Sequence, residues 1–256
     1  MLIEGMPLWV AQTNCWIVAP DGPGGECIIV DAPPEPARIV ERLAHHGLRL
    51  AAILNTHGHV DHVGGVGSLV HGPDHGPDPN HGEGNHTHDH DHDHGHYEHG
   101  RRPEDIAVYI HDDDRHMLLD PRGTSGGLGQ YLDGLDLRPP ELIYGMDDGD
   151  QVRGAGMTFR CLHTPGHTRG SVCFTLEVDG QPPILFSGDH LFQGSIGRTD
   201  LPGGSHDALM ISMADKILPL DDETAVLPGH GATTTVGRER QTNPFLVELV
   251  QRGGHW

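Results

Sequence analysis

Three imidazoles and a carboxylate fall within six consecutive positions, His57-Gly58-His59-Val60-Asp61-His62. Imidazole nitrogen and carboxylate oxygen are the donors that zinc and its first-row neighbours share. The set follows an apolar run, Leu50-Ala51-Ala52-Ile53-Leu54, and precedes Gly64-Gly65. That context predicts a buried strand of a sheet covered on both faces, ending where the chain turns. In an extended loop His57 and His59, two apart, project to one side. Asp61 and His62 follow as the chain bends and reach a second point close by. One loop can therefore begin two metal sites, and a cation relieves the crowding of ligand-type groups that a merely solvated loop would leave in competition for few partners.

The pattern recurs further along. The stretch Met157–Leu162 runs into His163-Thr164-Pro165-Gly166-His167-Thr168, Pro183–Phe186 into Ser187-Gly188-Asp189-His190, and Ala225–Leu227 into Pro228-Gly229-His230-Gly231. Three more strands thus end in a glycine-flanked His or Asp. In a layered α/β fold such strand ends converge on one crevice.

The elements that must position these residues are legible around them. Residues 7–31 read as a β-hairpin, with Leu8-Trp9-Val10 and Cys15–Val18 leading to a Pro/Gly turn and Cys27–Asp31 returning. Asp31, at the end of that strand, reads as a turn former first, with an acceptor behind a metal ligand as the alternative. Apolar positions Ala37, Ile39, Val40, Leu43 and Ala44 predict a helix from Glu35 to His46, stopped by Gly47. Gly64–Val70 reads as a short helix or turn, Ile106–Ile110 as a strand, and His111–Asp114 as a helix start whose carboxylates suit the macrodipole. The glycine-rich stretch 123–129 lacks the Lys-Ser/Thr of a phosphate-binding loop and reads as a flexible loop.

A chain of 256 residues accommodates one large α/β domain or two small ones. No run approaches the ~18–20 apolar residues of a membrane span. The N-terminus lacks a signal-peptide pattern. These features predict a cytoplasmic protein that engages no membrane. A formal charge of −21 offers no basic footprint for nucleic acid. Cys15, Cys27, Cys161 and Cys173 are isolated and read as small buried hydrophobes rather than a disulfide framework. Ten of the 23 histidines fall within residues 71–99. The segment 71–102 is Gly, Pro, His, Asp and Asn with little apolar surface, and reads as a disordered insertion able to collect additional metal ions.

Together, HGHVDH at 57–62, TPGHT at 164–168, SGD at 187–189 and PGHG at 228–231 resemble the metallo-β-lactamase superfamily over nearly the whole chain outside the insertion. Gly194–Gly204 and Arg238–Pro244 resemble, within it, the small glyoxalase II-like hydrolases. The resemblance implies a single α/β domain over 1–256, an αβ/βα four-layer sandwich of two mixed sheets between outer helices. It places His57, His59 and His167 on a first metal, Asp61, His62 and His230 on a second, and Asp189 between them. His163 and His190 match no ligand position. The implied cofactors are two divalent ions, zinc first, with iron or manganese as alternatives.

The implied activity is hydrolysis of an acyl thioester of a low-molecular-weight thiol, of the hydroxyacylglutathione hydrolase type. A hydroxide between the metals is the nucleophile, and Asp61 is a ligand that also orients it. Arg198 lies where the family places a basic contact to the thiol carrier's carboxylate, although an ion pair with Asp200 or Asp189 serves it equally well. Larger glyoxalase II enzymes grip glutathione with an appended helical domain, of which this chain holds one helix after Pro244. Two other readings accompany this one. Persulfide dioxygenases share the four stations and a GRTD stretch but use one iron, and here His190–Ile196 looks more like the hydrolase branch. In the third reading the His-rich loop makes the chain a metal buffer.

Overall fold

Along Thr13–Ala19 the side chains of Trp16 and Val18 pack on one face and Ile17 on the other. The alternation repeats in Ile28, Ile29 and Val30, and again in Ala52, Ile53 and Leu54. Both sets are buried, so helices or a second sheet must cover each face. The computed structural model, which describes residues 1–72, 106–253 and 256, shows both.

The first sheet sets β1 (Leu2–Leu8), β2 (Thr13–Ala19), β3 (Glu26–Val30), β4 (Arg49–Leu54), β5 (Ala107–His111) and β6 (Ile143–Met146) side by side in chain order. Pairing is antiparallel as far as β3 and parallel from β3 to β6. The second sheet contains β7 (Gln151–Gly154), β8 (Met157–His163), β9 (Val172–Leu176) and β10 (Ile184–Gly188). A short ribbon follows, β11 (Leu191–Phe192) with β12 (Ser195–Ile196). Then β13 (Ala225–Pro228) and β14 (Thr234–Thr235) complete the second sheet, in the order β14-β13-β10-β9-β8-β7. Only β10 and β13 run parallel in it. The helices are α1 (Pro36–His46), α2 (Val60–Val63), α3 (Val66–His71), α4 (Asp112–Leu119), α5 (His206–Ser212), α6 (Val236–Thr242) and α7 (Pro244–Gln251).

Three apolar layers follow from this order. Between the sheets, Trp16, Val18, Val30 and Leu54 meet Phe159, Phe174 and Phe186. Outside the first sheet, Ile17, Ile29 and Ile53 pack on Ile39 and Leu43 of α1 and Val66 and Leu69 of α3. Outside the second, Leu185 and Val226 pack on Leu209 and Met210 of α5 and Leu246 and Leu249 of α7. The result is the αβ/βα sandwich of two mixed sheets.

Two devices join the sheets beside the strand ends. Trp16 Nε1 donates to the Pro228 carbonyl at 3.0 Å, while its ring meets Phe186 edge-on at 6.4 Å. Asn14 Nδ2 donates to the carbonyls of Pro228 and Gly231, both at 3.0 Å, and the Asn14 N–H to that of Gly229 at 2.7 Å. The loop carrying His230 is thereby fixed to β2 of the opposite sheet.

The expected hairpin over 7–31 is a three-strand meander. β1 ends at Leu8, and Trp9 and Gln12 adopt left-handed backbone (φ 58° and 54°) in a tight reversal that leaves Val10 exposed. The apolar Trp9-Val10 pair belongs to the turn, not to the strand. α1 forms as expected, with Pro36 in its first turn and Gly47 closing it in the left-handed conformation at φ 62°. α3 continues through His71, so the ordered chain passes the expected start of the 71–102 insertion. From residue 73 that insertion lies outside the described residues. All four cysteines are buried free thiols. Among the described residues no helix is long and apolar enough to cross a membrane.

Phe186 is fully buried and touches the rings of Trp16 and Phe159. Phe186→Ala is expected to lower the unfolding free energy by about 3–5 kcal/mol. Denaturant titration checks this through a lower midpoint at unchanged slope.

Candidate metal centre

Every donor of the centre stands just beyond a strand. His57 and His59 occupy the loop after β4, and Asp61 and His62 the single turn of α2 that follows. His167 lies between β8 and β9, Asp189 directly after β10, and His230 directly after β13. Parallel β3, β4 and β5, with parallel β10 and β13 opposite, bring these ends to one rim.

His57 Nε2 lies 3.0 Å from His59 Nδ1, and His59 Nδ1 lies 2.8 Å from His167 Nε2. His62 Nε2, His230 Nε2 and Asp61 Oδ2 form a second triangle with sides of 3.4, 3.5 and 3.4 Å. Asp189 stands between the two, with Oδ1 3.3 Å from His62 Nε2 and Oδ2 3.5 Å from His167 Nε2 and 3.4 Å from His230 Nε2. Donors held by one tetrahedral ion at about 2.0–2.1 Å stand about 3.3–3.4 Å apart. The second triangle has that scale, and the two sides given for the first are tighter.

Hydrogen bonds on the far side of the rings fix which atoms face inward. His167 Nδ1–H donates to the Arg198 carbonyl at 2.7 Å, and His62 Nδ1–H to Asp31 Oδ2 at 2.8 Å. The Thr56 hydroxyl gives its proton to Asp31 at 2.8 Å and accepts from His57 Nδ1–H at 3.2 Å. The Nε2 atoms of His57 and His167 therefore present lone pairs to the centre, and that of His62 does so once a cation takes the place of its second proton. His59 can bring at most one proton to the two lone pairs it faces. Asp189 Oδ1 is buried and accepts no hydrogen bond. Inward lone pairs and an orphaned buried carboxylate oxygen fit a pair of divalent cations, with N and O donors that suit zinc, iron or manganese.

The charges divide across the centre. Burial, reinforced by the imidazoles of His62 and His167, holds His57 well below the usual histidine range, and burial with His167 brings His59 down to about 4. On the other side burial opposes charge, yet Asp189, Asp31 and Asp61 carry His62 well above that range. Against the same burial, hydrogen bonds to the carboxylates of Asp189 and Asp61 raise His230 to about 9. Burial likewise opposes the charged form of Asp61, but His62 and His230 bring it down to about 2. The carboxylate half draws positive charge to itself, a demand that a cation meets directly.

Two carboxylates read from sequence as local features are structural supports of this centre. Asp31 is not simply a turn former. At φ 60°, and fully buried, it accepts from Thr56 N at 2.8 Å, from the Thr56 hydroxyl and from His62. Asp114 is not a solvated helix-start charge. It is 1% exposed and accepts from Gly58 N at 3.0 Å, the Thr168 hydroxyl at 2.6 Å and Gly170 N at 2.9 Å. One side chain thus ties the loop of His57 and His59 to the loop of His167. The available signal was its spacing, three and four residues before buried Met117 and Leu118, which puts Asp114 on the inner face of α4. Thr13, which no motif singles out, is a further support, its hydroxyl donating to Asp61 Oδ2 at 2.9 Å. Gly229 is required by proximity, since a Cβ there would collide with Asp189 Oδ1 and His62 Cε1.

The two remaining histidines stay outside the centre. His163 stacks on His111 at 4.0 Å and donates through Nε2 to the Arg169 carbonyl at 2.9 Å. His111, Asp113 and His163 bring donors together, but the nearly parallel rings do not aim their in-plane lone pairs at one ion. His190 is buried with neither ring nitrogen partnered, and burial, with His167, brings it down to about 3.

His59, Asp61, His167, Asp189 and His230 line a cleft of about 880 Å³. The glycine-rich stretch forms one wall, with Gly126–Tyr131 wound into a 3₁₀ turn. Arg169, Arg198 and Leu201–Gly203 form another. Arg198 forks onto Asp200, Nε to Oδ1 and Nη2 to Oδ2, both at 2.7 Å.

Two stacked mixed sheets that converge seven metal-type donors on one open rim define a metal-dependent α/β hydrolase architecture. The chain belongs to the metallo-beta-lactamase superfamily, whose family model matches residues 8–230. It is 31% identical to the hydroxyacylglutathione hydrolase GloC of Haemophilus influenzae, across 96% of this chain and 98% of that one. The crystal structure of the BLEG-1 B3 metallo-beta-lactamase superposes with a TM-score of 0.72 at 33% identity, covering 96% of this chain and 99% of the other. The protein TTHA1623, solved in a di-iron-bound form, gives 0.67 at 33% identity, covering 95% and 100%.

Asp31→Asn keeps a residue tolerant of left-handed backbone but removes the charge behind His62. It is expected to weaken metal affinity by about 10–100-fold. Competition with a chromophoric chelator measures the change.

Proposed function

We propose that the protein is a binuclear metal-dependent thioesterase that hydrolyses acyl thioesters of a low-molecular-weight thiol. The observation that carries the reading is the complete set of seven donors, five of them lining an open cleft and His57 and His62 buried behind it: His57, His59 and His167 for one ion, Asp61, His62 and His230 for the other, and Asp189 shared. The name of the GloC relative supports the thioester class. Two ions rather than a single iron accord with the stretch His190–Ile196, which looks more like the hydrolase branch than the dioxygenase one. The ions are proposed to be zinc, with iron or manganese as alternatives that the same donors admit.

When bound, a divalent pair supplies the positive field that makes water nucleophilic near neutral pH and polarises the thioester carbonyl. The chain's own residues supply position. Asp61, its Oδ2 held by the Thr13 hydroxyl, faces the cleft and orients the incoming water. His57, His62 and His167, locked by Thr56, Asp31 and the Arg198 carbonyl, keep their lone pairs inward. In the reaction the carbonyl carbon gains a bond to water oxygen and loses its bond to sulfur, giving a carboxylic acid and a thiol. The leaving thiolate requires no dedicated acid, since a thiol's pKa of about 8.5 makes it a competent leaving group. No Ser-His-Asp arrangement is needed.

The test is turnover of a panel of acyl thioesters by the purified, metal-loaded full chain. Hydrolysis that disappears in His57→Ala is expected. Absence of hydrolysis across the panel, or oxygen uptake with glutathione persulfide instead, would overturn the reading.

A further inference from the structure

Of the two arginines lining the cleft, one already has a partner. The Arg198 guanidinium is held by both Asp200 oxygens, so it presents a compensated pair to a ligand. Arg169 has no hydrogen-bond or ion-pair partner for its side chain among the described residues, and it is exposed on the cleft wall.

Its backbone is the reverse of free. On one side Thr168 is held by Asp114 and by Ser171 Oγ, on the other Gly170 N donates to Asp114 at 2.9 Å, and the Arg169 carbonyl itself accepts from His163 at 2.9 Å. The stem passes Gly203, where a Cβ would come within 3.8 Å of Arg169 Cγ. A fixed root with an unpaired cationic tip, two residues beyond His167 and in the same cleft, is the arrangement of a recognition group. An unpaired guanidinium offers a planar fork that matches a carboxylate with two parallel hydrogen bonds.

We infer that Arg169 is the specificity-determining residue of the cleft and that it selects thioesters carrying a carboxylate. The inference rests on the thioesterase reading. It adds Arg169 to the cleft beside Arg198, for which the sequence leaves the substrate contact and the Asp200 ion pair both open. In a chain with a formal charge of −21, an uncompensated cation beside the reaction centre is also what lets an anionic substrate approach there.

The carboxylate can sit on the thiol or on the acyl half, and three substrates separate these sources. Acetyl-glutathione carries carboxylates on the thiol, succinyl-N-acetylcysteamine carries one on the acyl group, and acetyl-N-acetylcysteamine is neutral. For Arg169→Gln, KM is expected to rise about tenfold, the equivalent of ~1.4 kcal/mol, for at least one charged substrate. The neutral one should be unchanged, and Arg169→Lys should recover part of the loss. Whichever charged substrate is affected identifies the half that Arg169 reads. Equal effects on all three, or on none, would overturn the inference.

Calorimetric binding of two non-hydrolysable probes, S-methylglutathione with carboxylates on the thiol half and the thioether S-(3-carboxypropyl)-N-acetylcysteamine with one in the acyl position, keeps the two readings apart. If the parent protein hydrolyses no thioester, the proposed function fails, and the probes still judge Arg169. Weaker binding of either probe by Arg169→Gln supports the contact. Unchanged binding of both, or no binding of either to the parent, contradicts it.

Discussion

The arrangement at the rim is governed by one constraint, the crowding of lone pairs and carboxylates into a largely buried space. His57, His62 and His167 each spend their outward N–H on a fixed acceptor, which leaves the inner nitrogen to face the centre. Buried acceptors facing one another are costly unless a cation or proton sits among them. The second triangle shows the pull most clearly, because the carboxylates around His62 and His230 favour positive charge there in spite of burial.

Much of the surrounding structure serves to hold that arrangement. Asp31 and Asp114 are themselves buried carboxylates, tolerable only because each accepts several hydrogen bonds. Asp31 anchors β4's exit loop to His62, and Asp114 ties that loop to the one that carries His167. Asn14 and Trp16 secure the His230 loop from the other sheet. Donors contributed by both sheets are thus fixed to common supports rather than left on independent loops, which keeps a multi-ligand site within useful tolerance.

The sequence disclosed the donors more readily than their supports. Ligand-type residues at glycine-flanked strand ends stand out because few other roles suit them, and alternating apolar runs around Ile17, Ile29 and Ile53 indicate strands buried on both faces. Asp31 and Asp114 were obscured because an acid after a strand, or in the first turn of a helix, has an adequate local explanation. Their partners, Thr56 and His62 for one and Gly58, Thr168 and Gly170 for the other, are distant in sequence and meet only when the sheets stack. Trp9-Val10 misled for the opposite reason, since apolar side chains in a tight reversal imitate a strand. The pairing of Arg198 depended on the Asp200 rotamer, which spacing alone does not set.

The central claim is that the rim holds two cations, and locating them is more direct than counting them, because a chain with 23 histidines can bind metal elsewhere. Anomalous diffraction from crystals of the full chain loaded with zinc gives positions. The account requires two peaks roughly 3.5–4 Å apart, one among His57, His59 and His167 and the other among Asp61, His62 and His230, with Asp189 between them. A single peak at the rim, or peaks confined to other histidines, would contradict it.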